Sequence, residues 1–565
     1  ISMKIVIVGG VAGGATAAAR IRRLDEQAQI IVFERSGYVS YANCGLPYYI
    51  GDVITDPEAL TLQTPESFFK RFRVTMKVHH EVTSLHPERK TVSVKNLTTG
   101  EVFEESYDKL ILSPGAKPTQ PKLSGIDMEK VFTLRTVEDT FRLKKYIETK
   151  KPTSAVLAGG GFIGLELAEN LKDLGIDVTI VQRPKQLMNP FDADMASFIH
   201  NEMRKHGVKL LLGRTVEGFE EKGETIRVLL KDEQVLHADL VVLAIGVTPD
   251  THLAKEAGLQ LGIKDSIVVN DRMETSIPDI YAAGDAVMVK HYVTGLDALI
   301  SLAGPANKQG RIIADNICGG DSHYLGSQGS SVIKVFDLTA ATTGINETNA
   351  RKAGLDVDTV ILSPMNHAGY YPGGKVMTMK VVFEKNTYRL LGAQIVGYEG
   401  VDKRIDVLST AIHANLKATS LQDLDLAYAP PYSSAKDPVN MAGFMIDNIA
   451  NGVLKQWHLS DLTSVLQDSN ATLLDVRTIS EYEHSHIEGF KNIPVDELRD
   501  HLSEIEKDKP VYVICQSGLR SYIATRILSQ NGYDAYNFAG GFRFYEAVMH
   551  DRSLVEKETA CGMDL

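Results

Sequence analysis

The sequence predicts an α/β chain of several domains, and three stretches carry that prediction. "KIVIVGGVAGGATAAARIRRL" at the N-terminus runs from an apolar strand through a glycine-rich turn into an alanine-rich helix; "SAVLAGGGFIGLELAENLKDLG" repeats the pattern; "TLLDVR" and "PVYVICQSGLRSYIATRILSQNGY" restart it near the C-terminus. Short apolar runs followed by helical periodicity are what parallel strands buried on both faces look like. With 565 residues the chain exceeds one core, and at ~150 residues per domain about three or four are expected. The net charge of -12 argues against a general nucleic-acid binder, so any phosphate binding must be local. No apolar run approaches the ~20 residues that span a bilayer, and the start lacks the order of a signal peptide, so no membrane partner and a cytoplasmic location are expected. Four cysteines (Cys44, Cys318, Cys515, Cys561) are too few for a disulfide scaffold and lack paired zinc spacing. No metal is expected, and thiol chemistry is. Cys318 and Cys561 have no motif around them. Ile1 and Ser2, ahead of Met3, are read as an addition to the natural start.

The first glycine turn has the chemistry of a dinucleotide site: glycines let the backbone approach a pyrophosphate, whose charge sits at a helix N-terminus. Gly9 and Gly14 fit the first and third glycines of GxGxxG, while Val11 takes the second place. Glu34 ends "IIVFERS", about 20 residues on, where an acid accepts hydrogen bonds from a ribose. "YDKLILSPGA" (107 to 116) and "IPDIYAAGDA" (277 to 286) complete a resemblance to the FAD segments of flavin-dependent disulfide reductases, which implies FAD and gives Asp285 the ribityl chain. Between those segments lies a full GxGxxG at Gly159, Gly161 and Gly164. One dinucleotide fold nested in another is the plan of those reductases, and it implies NADH or NADPH as reductant. Gln182 and Arg183 stand where an acid favours NADH and a base accepts a 2′-phosphate, so the two nucleotides remain open. Glu166 resembles the glutamate such enzymes place beside the nicotinamide.

Cys44 lies in "SGYVSYANCGLPYYIG" with no second cysteine nearby. Glutathione-reductase-type enzymes carry a pair here. A single cysteine can alternate between thiolate and sulfenic acid, or between thiolate and a mixed disulfide with a small thiol. NADH peroxidases carry a histidine in the first turn where this chain has Ala12, which counts against peroxide chemistry. Arg20 and Arg23 on the first helix, with Lys70, Arg71 and Arg73 in "FFKRFRV", offer charge for a phosphate-bearing substrate.

On "SYANCGLPYYIG", the FAD segments and "AYAPPYSSAKDPVN" (427 to 440), the chain from residue 3 to about 450 resembles the coenzyme A-disulfide reductases. That resemblance implies a Cys44–CoA mixed disulfide. It implies CoA contacts from Thr16, Arg20, Arg23, Ser40, Asn43 and Lys436, and a homodimer in which tyrosines of the partner subunit cover the active site. Tyr370 and Tyr428 match those tyrosines, with Tyr371 and Tyr432 close enough in sequence to leave the choice open.

The C-terminal stretch resembles a rhodanese domain through Asp475 to Arg477, Glu481, "HIEGFKNIP" and "CQSGLRS". Cys515 ends a strand and opens a loop into a helix, where backbone N–H groups point at the sulfur and stabilise a persulfide anion. Arg520 is expected to close the rim and draw in anionic sulfur. The Cys-x4-Arg loop is the sulfurtransferase length; rhodanese-like phosphatases use a longer one.

The expectation is therefore two nested dinucleotide-binding (Rossmann-like) domains, an α+β dimerisation domain and a C-terminal α/β rhodanese domain. The boundaries are 3–150 and 276–324 for the FAD domain, 151–275 for the NAD(P)H domain, 325–450 for the interface domain, 451–465 for a linker and 466–565 for the rhodanese domain with its tail. The expected activity is NAD(P)H-dependent reduction of CoA persulfide or polysulfide to hydrosulfide, with Cys515 handling sulfane sulfur. The alternatives are CoA-disulfide reduction that maintains a thiol pool, and a rhodanese domain that docks a sulfur carrier without catalysis.

Overall fold

The computed structural model describes residues 1–119 and 121–560; Cys561 lies outside them. The described chain divides into two compact units, Ile1–Arg183 with Arg214–Gly329, and Pro184–Gly213 with Ser330–Leu565.

In the first unit, β1 (Lys4–Val8) leads through the glycine turn into α1 (Gly13–Leu24) and β2 (Gln29–Glu34). β1 is flanked in parallel by β2 and by the strand Lys109–Leu112, in register Ile5↔Ile30 and Ile5↔Lys109. The five-stranded sheet is completed by Thr75–Val78 beyond β2 and Ile280–Ala282 beyond Lys109–Leu112. Ile5, Ile7, Val32 and Ile111 are buried between its faces, which is why these strands read as unbroken apolar runs. α1 lies against the helix Ala303–Ile317 so closely that a Cβ on Gly310 would stand 2.5 Å from the Gly13 carbonyl oxygen.

The second parallel sheet follows the same plan: Ser154–Ala158 pairs with Asp177–Gln182 on one side and Leu240–Leu243 on the other. Val131–Thr133 pairs with Leu240–Leu243, so this sheet recruits a strand from ahead of residue 151. Ile280–Ala282 returns the chain to the first sheet, which makes the second fold an insertion in the first.

The second unit holds a five-stranded antiparallel sheet in the order Ser331–Val335, Leu338–Gly344, Leu390–Gly397, Met377–Glu384, Val357–Leu362, with the helices Val401–His413 and Pro438–Ala450. The expected α+β interface domain is thereby present. A separate parallel sheet forms at the C-terminal end, ordered Gln456–Trp457, Ala535–Phe538, Val511–Ile514, Thr472–Asp475, Lys491–Asn492.

The structure differs from the expectation of a plain connection over 451–465. Gln456–Trp457 is an edge strand of the C-terminal sheet; Trp457 is buried, packs on Phe538 and Phe490, and donates its Nε1–H to the Val513 carbonyl. The physical reason is local: an indole inside a polar-looking segment buries a large apolar surface once its N–H finds a partner. Among the described residues, no helix is long and apolar enough to cross a membrane.

Candidate functional site

The two nested turns share one construction. Gly9 donates its N–H to Phe33 O and Gly159 to Val181 O, both at 2.9 Å. A Cβ at Gly9 would stand 1.9 Å from Ser113 O, and one at Gly159 would stand 1.9 Å from Ala244 O. Both glycines also sit at positive φ (99° and 122°), so only glycine closes either turn. A Cβ at Gly14 would meet Gly9 O at 2.0 Å and one at Gly164 would meet Gly159 O at 2.3 Å, which lets each helix begin close under its strand. Gly161 differs: a Cβ there would meet nothing within 4 Å, leaving open space in front of the helix N-terminus. Two helix N-termini behind glycine turns, one facing open space, fit the pyrophosphates of two dinucleotides. Glu34 anchors the first turn, accepting from Gly10 N at 3.0 Å and Ser36 N at 2.8 Å. Asp285 lies in the short turn Gly284–Ala286 and pairs with Arg135 at 3.0 Å.

Cys44 sits in the turn Asn43–Gly45, just ahead of α2 (Leu46–Ile50), and is exposed. The loop that carries it is tied to the first glycine turn by Ser40 N donating to Gly10 O at 3.1 Å. α2 carries Pro47 in its first turn and ends on Lys144, whose ammonium donates to Tyr49 O and Ile50 O, a cation where the helix dipole is negative. Gly51 then lies against the helix Phe162–Asp173, where a Cβ would stand 2.1 Å from Asn170 Oδ1. This packing makes Glu166 a neighbour of Cys44. Burial, and then the Glu166 carboxylate, push the Cys44 thiol up. Burial, and then Glu169, hold Glu166 up at about 7. Tyr48 is pushed up to about 12 by burial and then by Glu166.

Tyr48, Glu169 and Arg135 are members of this neighbourhood that the sequence reasoning missed. Tyr48 was legible: it follows Cys44 by four residues, one helical turn.

The remaining first-unit residues cluster near α1. Thr16 donates to Asn307 at 2.8 Å, and Arg20 pairs with Asp315 at 3.0 Å. Arg22, unremarked in the sequence, is buried and takes Phe72 O at 2.6 Å and Arg73 O at 3.0 Å. It thereby joins the C-terminal ends of the two helices that carry Arg20 and Arg23, and Lys70 and Arg71. Arg23 and Arg71 are exposed, while Ser40 and Asn43 are half-buried.

In the second unit, Tyr370 and Tyr428 meet hydroxyl to hydroxyl at 2.8 Å, with 76% and 45% of each residue exposed. This singles out the pair from Tyr371, whose ring edges against His367, and from Tyr432. Buried Arg404 holds both loops: it donates to Asn366 O at 2.8 Å on the Tyr370 side and to Tyr432 O, Ser433 Oγ and Asp437 Oδ2 on the other. Ala368 N to Ser433 O at 3.0 Å closes the gap. Asp437 also caps the helix Pro438–Ala450, leaving Lys436 exposed beside it.

Cys515 follows the strand Val511–Ile514 and is fully buried, at 0% exposure. Gly518, at φ 107°, donates its N–H to the sulfur at 3.0 Å. The Ser521 hydroxyl reaches the same sulfur at 3.1 Å and Asn537 Oδ1 at 2.5 Å. Ser521 and Asn537 escaped the sequence reading, although Ser521 lies two residues into the helix that the loop opens. Arg520 differs from expectation. Its guanidinium is held by both oxygens of Glu481, at 2.7 and 2.9 Å, and among the described residues makes no hydrogen bond to the sulfur, although the Cys515 charge acts on it. Arg520 in turn holds the Glu481 carboxyl down at about 2. A planar fork facing a carboxylate one loop away makes its bidentate pair first.

Comparison with known proteins matches these parts in order. Residues 3–310 match the pyridine nucleotide-disulphide oxidoreductase family, 330–438 its dimerisation domain and 458–547 the rhodanese-like domain. A coenzyme A disulfide reductase of Staphylococcus aureus is 38% identical over 78% of this chain and 99% of its own. The reduced Bacillus anthracis CoADR-RHD structure is 49% identical, with a TM-score of 0.95 over 98% of this chain and 99% of that one. An NAD-dependent persulfide reductase from A. fulgidus is 38% identical, with a TM-score of 0.90 over 96% and 100% of the two chains.

Proposed function

The chain belongs to the pyridine nucleotide-disulphide oxidoreductase family, in its coenzyme A disulfide reductase branch with a fused rhodanese-like domain, and from that premise we propose that it reduces CoA-bound disulfide sulfur through Cys44. The observation that carries this reading is the exposed thiol of Cys44, set between the first glycine turn and Glu166 with no second cysteine in its loop.

The Cys44 thiolate attacks one sulfur of CoA disulfide, forming Cys44–S–S–CoA and expelling CoA thiolate. FAD at the first glycine turn and a nicotinamide nucleotide at the second would together supply the two electrons needed to reduce the mixed disulfide, with Cys44 recovered as thiolate and the second CoA released. Gly9, Gly14, Glu34 and Asp285 would hold the FAD, and Gly159, Gly161 and Gly164 would hold the nucleotide. Glu166, pushed up to about 7 by burial and then Glu169, changes charge near neutral pH, and its charge bears on how readily Cys44 ionises. Thr16, Ser40 and Asn43 orient the CoA, and Arg20, Arg23, Arg71 and Lys436 balance its phosphates. The Tyr370–Tyr428 pair protonates the departing thiolate; in a homodimer formed by the dimerisation domain it serves the partner's site.

A second reading, favoured by the rhodanese-like domain and by the likeness to a persulfide reductase, extends the substrate to CoA persulfide. Cys44 then attacks the CoA-side sulfur, hydrosulfide leaves, and the same mixed disulfide forms. Cys515 loads sulfane sulfur from polysulfide and passes it to CoA. Arg520 acts here through Glu481, as a positioning residue that keeps the loop closed over the sulfur.

The test is kcat/KM for CoA disulfide, CoA persulfide and polysulfide, side by side, in wild type and Cys515→Ser. The variant is expected to keep the first two and lose most of the third. Wild-type rates on all three would remove Cys515 from the route. A kcat/KM for CoA disulfide no higher than for glutathione disulfide would remove the CoA assignment.

A further inference from the structure

The wall behind Cys515 holds one proton with two claims on it. Ser521 Oγ stands 3.1 Å from Cys515 Sγ and 2.5 Å from Asn537 Oδ1, with the Gly518 carbonyl at a longer 3.2 Å. A hydroxyl has a single hydrogen, so it serves the sulfur or the amide oxygen and not both. The other contact of Asn537 decides which end of its amide faces Ser521. Nδ2 donates to Gly518 O at 3.3 Å; turned round, the amide would set its oxygen against that carbonyl.

The sheet fixes the place of Asn537. The strand Ala535–Phe538 pairs in parallel with Val511–Ile514 in register Asn537↔Val513, two residues short of Cys515. Ser521 and Asn537 are both buried, so no solvent replaces a partner that turns away. The charged groups at this end of the domain are taken: Arg520 pairs with Glu481 and Arg477 with Asp475. These pairs stand whether Cys515 carries a proton or not, and the Ser521 hydroxyl is the group that must turn.

While Cys515 keeps its proton, each of these groups is satisfied: the thiol gives to Ser521 Oγ and the hydroxyl gives to Asn537 Oδ1. A sulfur anion needs donors instead. Gly518 N–H supplies one at 3.0 Å, and the Ser521 hydroxyl supplies a second only by leaving Asn537 Oδ1 buried without a donor. We infer that Asn537 is a positioning residue for sulfur transfer, one that draws the Ser521 proton away from Cys515 and so disfavours the idle thiolate. The inference rests on the reading of Cys515 as the sulfur-carrying thiol and adds the residue that restrains it.

The experiment follows loading of Cys515 in the FAD-loaded, full-length enzyme mixed with excess thiosulfate, by the sulfite released in a single turnover. In that step the thiolate attacks the sulfane sulfur, a new S–S bond forms, and the old one breaks as sulfite leaves with its electron pair. Rates are compared at a pH low enough for wild-type loading to have fallen to about a tenth of its plateau, where the supply of thiolate limits. Asn537→Val, which suits a strand and removes the oxygen, is expected to load about threefold faster than wild type. One released hydrogen bond raises the thiolate share about fivefold, and the weaker nucleophile returns part of that gain. Asn537→Ala should do the same and replaces the valine variant should that one not fold. In a Ser521→Ala background neither substitution should have an effect, because the proton it releases is gone. Loading that is unchanged or slower in both variants would overturn the inference, and so would a gain that persists without the Ser521 hydroxyl. Sulfite release that survives Cys515→Ser would instead take down the reading of Cys515, and the inference with it.

Discussion

Cys44 and Cys515 are two thiols on one chain in opposite surroundings. Cys44 is exposed, beside an acid, and among the described residues no hydrogen bond ends on its sulfur. Cys515 is fully buried and receives an N–H and a hydroxyl. The first arrangement raises the cost of a standing thiolate and leaves the sulfur within reach of a bulky disulfide. The second surrounds a sulfur anion with donors and keeps water away. The difference teaches that attack on a disulfide and storage of a sulfur anion ask opposite things of a cysteine environment.

The strongest way to break this comparison is to exchange the functions. Cys44→Ser should lower NAD(P)H-dependent CoA-disulfide reduction to background while thiosulfate:cyanide sulfurtransfer persists, and Cys515→Ser should do the reverse. Steady-state assays of both variants decide it, and loss of both activities in either variant would join what the structure separates.

Next in size is Ser521→Ala. Removing one donor from a buried anion costs about a hundredfold in comparable sites, so sulfurtransfer should fall by about that factor with the reductase unaffected. Cyanide-dependent thiocyanate formation is the measurement. A fall under threefold would leave the Gly518 N–H as the donor that matters.

Tyr428→Phe should lower kcat for CoA disulfide by about tenfold and leave its KM unchanged, because a general acid acts in the transition state. An equal rise in KM would make the tyrosines binding residues.

The smallest effect sharpens the Cys44 side. Glu166 ionises through about 7, and its negative form disfavours the Cys44 thiolate. Glu166→Gln should therefore lower the Cys44 pKa and raise its alkylation rate at pH 8 several-fold. In wild type the rate should climb with a shallow profile as both groups titrate. Iodoacetamide kinetics against pH on the reduced enzyme give both curves; coincident curves would place Glu166 too far from the sulfur to act.

Much of this was legible in the sequence, for stated reasons. The glycine turns, Glu34 and the Cys515 loop are local: a turn that only glycine closes, or a loop between a strand and a helix, is written in adjacent residues. The Tyr370–Tyr428 contact joins positions far apart in the chain, and proximity in sequence alone leaves Tyr371 and Tyr432 as rivals; that the two hydroxyls meet shows only in the folded chain, where buried Arg404 binds both loops. Glu481 shows the other limit. It carries the expected motif, yet nothing in its spacing says that its carboxylate would claim both arms of Arg520. Trp457 shows a third: a lone indole in a polar stretch gives no periodicity to read.

The central claim is that Cys44 alone on the enzyme exchanges electrons, with CoA supplying the second sulfur. Enzyme reduced by NAD(P)H, freed of excess reductant and given one equivalent of CoA disulfide, can be digested under non-reducing acid conditions and mapped by mass. The account predicts a CoA disulfide on the peptide that holds Cys44, absent from Cys44→Ser and discharged by a further equivalent of NAD(P)H. CoA found instead on Cys515 or Cys318, or a Cys44 adduct that NAD(P)H does not discharge, would contradict it.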